Sequence, residues 1–302
     1  MTPLISQPIG KAEDLETGIF QCQHDLSATG LFSDEKLLNI FESHPSDYMQ
    51  IYTMGDDHSD LDDFRLGDRG GLSSEQLLKA VKEGKLWFNL MFVDHFHPEY
   101  KIILDQLFDE LEQANPDFKT FDRRATLLVS SPKAKVFYHA DGPPNILWHI
   151  RGKKKISLYP LTEEFAPQLE IEKIFSRESD DDLPYSIRFD ESSSDYTLQQ
   201  GEMIAWPQNM PHSVENLDSF CVSLSAEYYS LKSMRKKETY LANYYLRRWL
   251  KLPCYSIETQ GVLPMIKRNV YRLLSRLPFP KVEESGDVYQ FSLNDIVNKP
   301  NN

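Results

Sequence analysis

A histidine two residues from a carboxylate makes a ligand pair on an extended backbone, because positions i and i+2 of a strand face the same way. A second histidine from another strand would complete two histidines and one carboxylate on one face of a metal. That set leaves open positions and suits non-haem Fe(II) chemistry. The chain contains three His-x-Asp/Glu pairs: His58–Asp60, His97–Glu99 and His139–Asp141. With 8 His and 46 Asp+Glu in 302 residues, about one such pair is expected by chance. Context has to separate them.

His58–Asp60 sits in GDDHSDLDDFRLGDRGG, a polar, glycine-flanked stretch with no strand signal, and reads as a solvated turn. His97–Glu99 encloses Pro98 and opens a helical pattern; on a helix, i and i+2 diverge by about 200°. His95 and His97 therefore read as packing or capping residues. His139–Asp141 ends the strand-like KVFYHAD and is followed by DGPPN and another strand. Further on, GEMIAWPQNMPHSVEN presents His212 just after a strand and a proline-rich bend. His139, Asp141 and His212 are thus the candidate triad, assembled from two strands.

The elements that must position them follow from periodicity. From about residue 123, ATLLVSS, KVFYHAD, NILWHIRG, KKISLYP, EMIAWP and SFCVSLSAEYY are short, rich in β-branched and aromatic residues, and punctuated by Gly, Pro or Asp. They predict a β barrel or sandwich. Before them, SDEKLLNIFESH and LSSEQLLKAVKEGK read as helices capped by serine, LWFNLMFV as a buried strand, and HPEYKIILDQLFDELEQAN as a helix opened by Pro98. After Tyr229, SLKSMRKKETYLANYYLRRWLKL places Leu231, Met234, Leu241, Tyr245 and Trp249 on one stripe, and MIKRNVYRLLSRL is a second helix. A long acidic insertion lies between Pro160 and Tyr196. The expected organisation is an arm over 1–30, a helical region over 31–121, a β core over 122–230 and a basic helical region over 231–302.

YHADGPPNILWHIRGKKKISLYP followed by MIAWPQNMPHSVEN resembles the JmjC/cupin-like Fe(II)- and 2-oxoglutarate-dependent oxygenases, in particular the group that includes the asparaginyl hydroxylase of hypoxia-inducible factor. LSSEQLLKAVKEGKLWFNL and the HPEY helix are similar to the front of bacterial cupin-like members; the resemblance covers roughly residues 70–230. It implies a double-stranded β-helix (a jelly roll) with helical N- and C-terminal flanks. Fe(II) would bind at His139, Asp141 and His212, and 2-oxoglutarate would chelate the metal and pair its distal carboxylate with Lys154. Lys154 shares a strand face with Ile156 and Leu158, while Lys153 and Lys155 take the other. By the same resemblance Asn145 assists the cosubstrate. Two positions depart from the pattern: Val136 stands where related hydroxylases have threonine, and Glu227 where asparagine is common. Tyr138 or Tyr159 could supply the missing hydroxyl. A buried Glu227 would oppose an anion unless protonated or paired. Trp148, Trp206, Tyr228, Tyr229 and His149 read as core residues.

Charge sets the remaining expectations. The chain carries 33 Lys+Arg against 46 Asp+Glu, a net charge of -13. Residues 1–230 hold 20 basic and 40 acidic side chains, whereas residues 231–280 hold 11 basic and 2 acidic. An acidic body makes nucleic acid a poor partner, and the basic segment is expected to dock internally or to dimerise. No apolar run of membrane-spanning length is present. Three separated cysteines and a start without a secretory pattern fit a reducing cytoplasm. The expected activity is hydroxylation of a protein or peptide side chain with release of succinate and CO2. Demethylation, a small-molecule oxygenase and a non-catalytic metal-binding module are the competing readings.

Overall fold

The computed structural model describes residues 2–9, 15–54, 64–276 and 288–297; His58 and Asp60 lie outside the described residues. In chain order the front contains β1 (Ile5–Ile9), β2 (Phe20–His24), α1 (Asp34–Ser43), β3 (Met49–Thr53), β4 (Arg65–Asp68), α2 (Ser74–Glu83), β5 (Leu86–Leu90), α3 (Val93–Phe96) and α4 (Pro98–Ala114). The core contains β6 (Phe121–Ser130), β7 (Lys135–His139), β8 (Asn145–Arg151), β9 (Lys153–Leu158), α5 (Gln168–Ser176), β10 (Ser194–Gln199), β11 (Glu202–Ala205), β12 (His212–Asn216) and β13 (Cys221–Tyr229). The tail contains α6 (Leu231–Leu250), α7 (Val262–Leu274), β14 (Phe291–Ser292) and α8 (Leu293–Val297).

Two sheets share the work. One runs β1-β2-β11-β8-β13-β6-β5-β3-β4-β14 and the other β10-β9-β12-β7. The period of two along β13 shows how their faces divide. Val222, Leu224, Ala226 and Tyr228 join Ile146, Trp148, Ile150 and the apolar faces of α1, α2 and α4 in one core. Cys221, Ser223, Ser225 and Glu227 take the opposite face. That face, with Leu147 and Ile204, looks toward Ile156, Leu158 and Val214 of the smaller sheet, and these side chains form a second core. A strand covered on both faces is buried along its length, and β8 has only Arg151 half-exposed.

The capped helices form as their sequences dictate. Ser33 accepts from the Lys36 amide at the start of α1, and Ser73 makes a reciprocal capping box with Gln76 at the start of α2. His97 occupies the N-cap position of α4 and stacks on His44, the two rings 5.3 Å apart. Part of the expected arm is regular: β2 pairs with β11 and extends the large sheet. Leu231 departs from the expected stripe of α6. It is 70% exposed while Ser233, two residues on, is buried, so the first turn meets the fold through a different side.

The acidic insertion is structured and receives the basic tail. Tyr138, Tyr159, Phe165, Ile171, Phe175 and Phe189 pack with Tyr240 and Leu241 of α6. Arg247 of α6 reaches Glu172 of α5, which has no exposed surface, and Arg248 pairs with Glu178 at 3.0 Å. The strong basic bias of the tail is therefore partly spent on internal docking. Removing one partner of a buried ion pair leaves an uncompensated charge, typically at about 3–5 kcal/mol. Arg247→Ala should lower the unfolding free energy by that order, whereas Lys251→Ala, on an exposed residue, should stay within about 0.5 kcal/mol. Denaturant unfolding of the two variants checks this.

Candidate metal centre

Strand pairing brings the three candidate ligands together. β7 and β12 are antiparallel neighbours with His139 opposite His212, and Asp141 follows two residues beyond the strand. One ligand atom from each of His139, Asp141 and His212 lies within 4.8 Å of the others. Ligands on a single ion with bonds of about 2.1 Å can be at most about 4.2 Å apart. Ligands that share one face of an ion sit only about 3 Å apart, so a bound ion would draw the group closer together. Among the described residues this is the group of His, Cys, Asp and Glu with that closeness.

Hydrogen bonds select the free nitrogen of each ring. His139 Nδ1 lies 2.8 Å from the Phe137 carbonyl and His212 Nδ1 3.0 Å from the Met210 carbonyl. A carbonyl only accepts, so each Nδ1 carries the proton and each Nε2 keeps its lone pair for a ligand. His212 Nε2 stands 3.6 Å from Asp141 Oδ2. Burial, and secondarily His139, push His212 down to about 4, against the pull of Asp141. The imidazole is therefore neutral at pH 7, the form that binds a metal.

The carboxylate is braced from two sides. Asn145 Nδ2 donates to Asp141 Oδ2 at 3.3 Å, and Ser225 Oγ donates to Asn145 Oδ1 at 2.9 Å. Asn209, whose φ is 64°, donates to the Asp141 carbonyl at 2.8 Å, and Gln208 donates to the Gly142 carbonyl at 2.9 Å. Lys236 of α6 holds this second loop by donating to the Gln208 carbonyl at 2.6 Å. Asn209 and Gln208 were not legible as site residues; their only sequence signal is their position between Pro207 and Pro211.

Lys154 turns inward as the strand period requires. It lies opposite Asn216 of β12 and Leu198 of β10, so β9 is an interior strand and not an exposed edge. Lys154 has no exposed surface, while Lys155 on the other face pairs with Asp195 and Glu215. Among the described residues Lys154 Nζ has no hydrogen-bond partner, and neither has His149 Nε2 or Asn216 Oδ1. Burial lowers Lys154 to about 8. Leu158 pairs with His212, so Lys154, four residues earlier, stands roughly 13 Å away along the same interior face.

The structure places the other expected residues elsewhere. Tyr138 precedes His139 and its ring packs on the insertion side, where its hydroxyl donates to the Phe165 carbonyl at 2.6 Å. Tyr159 donates to Asp190 at 2.8 Å on that side too. Both hydroxyls are spent on the insertion, so neither takes the place of the missing threonine, and Val136 leaves that position apolar. Glu227 lies opposite Asn145 and Arg124. Burial and the nearby Asp141 raise its carboxyl to about 7, against Arg124 and Lys237. His97–Glu99 is not drawn into the group.

A β core that brings His139 and His212 of adjacent strands together with Asp141, just beyond β7, has the arrangement of a cupin metal site. The cupin-like domain family matches residues 75–233, and the chain belongs to that family. No curated protein matches the chain. Among solved structures, a ribosomal oxygenase, YcfD of Escherichia coli, in complex with cobalt and 2-oxoglutarate is 15% identical with a TM-score of 0.44. That similarity covers 82% of this chain and 60% of YcfD, so the chain spans well under two thirds of that length. Another YcfD structure is 16% identical with a TM-score of 0.47, covering 91% of this chain and 66% of that one. A protein of unknown function from Streptococcus pyogenes, SPY1581, is 12% identical, with a TM-score of 0.24, over 37% of this chain and 69% of its own. No helix among the described residues is long and apolar enough to cross a membrane.

Anaerobic titration with Fe(II) or Co(II) should give one tight site per chain, lost in His139→Ala and in Asp141→Ala. Asn145→Ala and Asn209→Ala should weaken it about 10- to 100-fold, as calorimetry with Co(II) would reveal.

Proposed function

We propose that the protein is an Fe(II)- and 2-oxoglutarate-dependent oxygenase that hydroxylates a protein or peptide side chain. The observation that carries this reading is Lys154: a buried ammonium without a hydrogen-bond partner, on the same interior face as the His-Asp-His group. An unpaired buried charge costs several kcal/mol, and a dicarboxylic cosubstrate held at the metal would offset that cost. The order β10-β9-β12-β7 facing β11-β8-β13-β6 supports reading the core as a double-stranded β-helix that encloses such a ligand.

His139, Asp141 and His212 would hold Fe(II), and Lys154 would take the distal carboxylate of 2-oxoglutarate. When bound, metal and 2-oxoglutarate would together activate O2, one oxygen atom going to the C–H bond as hydroxyl and the other to succinate, with CO2 released. The chain's own residues do the positioning. The carbonyls of Phe137 and Met210 fix the ring orientations, and Asn145 with Ser225 fixes the carboxylate. The apolar side chains of Ile156, Leu158, Leu147 and Val214 between the sheets exclude water from the interior. Glu227, raised to about 7, can be protonated near neutrality and then no longer opposes an anion. Asp180–Asp182 run beside β7, where the Ala140 amide donates to the Asp181 carbonyl at 2.9 Å; burial and Asp141 hold the Asp181 carboxyl well above the usual range, so Asp180 and Asp182 would be the ones to favour a substrate with basic side chains.

The same strap across the edge of β7 favours a second reading, a small-molecule oxygenase with a narrower mouth. A peptide library rich in lysine and arginine separates the two. Peptide-stimulated succinate release supports the first, and stimulation by small metabolites alone supports the second.

Anaerobic addition of Fe(II) and 2-oxoglutarate should produce a metal-to-ligand charge-transfer band in the visible, absent in His139→Ala and weakened at least tenfold in Lys154→Met. Iron bound in full with no such band would move the protein to a non-catalytic metal-binding module. A second outcome concerns stability. Lys154 is lowered from 10.5 to about 8 in the fold, which corresponds to on the order of 3 kcal/mol against the charged form. Lys154→Met should therefore raise the thermal midpoint of the ligand-free protein at pH 7. The unfolded chain binds this proton up to its higher pKa. Wild type should thus gain stability between pH 8 and about 10, and the variant should not.

A further inference from the structure

The closed end of the interior poses a question that the metal centre leaves open: what holds the Lys154 ammonium before an anion arrives. Its Nζ lies 4.4 Å from the ring centroid of Trp87, a distance at which an indole face attracts a cation strongly when both are desolvated. Trp87 is itself fixed. Its Nε1 donates to Asn89 Oδ1 at 2.7 Å, and its backbone pairs with Tyr52 on one side and Ser130 on the other. The ring is 5% exposed and belongs to the core between the sheets.

We infer that Trp87 is the positioning residue of the cosubstrate lysine: its ring keeps the Lys154 ammonium charged and aimed into the interior, and so sets the affinity for a dicarboxylate. This rests on the oxygenase reading for the identity of the ligand, but not for the pairing of ring and ammonium. The other groups facing Lys154 cannot do this work. His149 of β8 is pushed by burial to about 3 and is neutral. Cys221 of β13 is raised by burial and is a thiol at pH 7. Asn216, whose amide nitrogen donates to Ser130 Oγ and the Ser131 carbonyl at 2.7 Å, makes no hydrogen bond to the ammonium through its Oδ1. A neutral π-face near the ammonium has a further consequence: it does not compete with an incoming carboxylate as a buried Asp or Glu would. The seat is held ready without being filled.

The test reads the indole directly. The fluorescence of wild type minus that of Trp87→Phe, followed against pH without metal or cosubstrate, should step near pH 8 as Lys154 loses its proton. The step should vanish in Lys154→Met. A flat difference, or a step that persists in Lys154→Met, would overturn the inference. Trp87→Leu should weaken anaerobic 2-oxoglutarate binding on the order of tenfold at neutral pH and lower the pH at which binding fails by roughly one unit. Trp87→Phe, a weaker ring of similar shape, should fall between. Weakened binding with an unmoved pH profile would make Trp87 mere packing and overturn the assignment. A wild type that shows the Lys154-dependent step but ignores 2-oxoglutarate would instead overturn the cosubstrate reading and leave the ring–ammonium pairing supported.

Discussion

The register of β12 is the constraint on which the site depends. A slip of one residue would turn every side chain of the strand to the other face, carrying His212 and Asn216 out of the interior together. Several independent contacts hold that register. Val214 packs with Ile156 in the core between the sheets. Asn216 is anchored by Ser130 and Ser131 at the end of β6. Ahead of the strand, the Pro207–Pro211 bend is tied to the loop after β7 through Gln208 and Asn209. The two segments that carry the His-Asp-His group are thus braced to each other by side chains as well as by the sheet.

Much of this was legible in the sequence, for identifiable reasons. His139–Asp141 stood out because KVFYHAD carries enough β-branched and aromatic residues to declare a strand, whereas a His-x-Asp pair alone carries almost no information. Lys154 was picked out by the resemblance, and period two placed it on one face with Ile156 and Leu158. β10 and β12 were not legible as strands: SDYTLQ buries only Leu198, and HSVEN holds one apolar residue among polar ones. Their pairing is dictated by tertiary context, which local propensity does not contain. β1 and β2 escaped for a similar reason, since β2 is a strand largely because β11 offers it an edge.

The residues around the ligands were harder still. Asn145 was expected to serve a cosubstrate, and the structure shows its amide engaged with Asp141 and Ser225. Tyr138 was expected near the cosubstrate, but the insertion takes its hydroxyl. That acceptor, the Phe165 carbonyl, lies 27 residues further along the chain and has no sequence signature. Backbone acceptors never do. Trp87 was readable as part of a buried strand, yet nothing in LWFNL reveals that its ring meets a lysine from β9.

The electrostatics of the molecule follow one division of labour. The acidic insertion and the basic α6 neutralise each other away from the metal, with Arg247 and Glu172 as the buried pair. This anchors the insertion so that its segment at Asp181 can lie along β7. Inside the β core the opposite holds: the ammonium of Lys154 has a ring beside it and no counterion. The fold tolerates that charge because the large core beneath α1, α2 and α4 carries the stability. A buried ammonium that weakens the free protein and has a ring beside it but no hydrogen-bond acceptor is the group we propose to face a ligand. In the oxygenase reading we propose, the His-Asp-His group and the waiting ammonium would hold the two ends of one anion, its centre left to apolar walls.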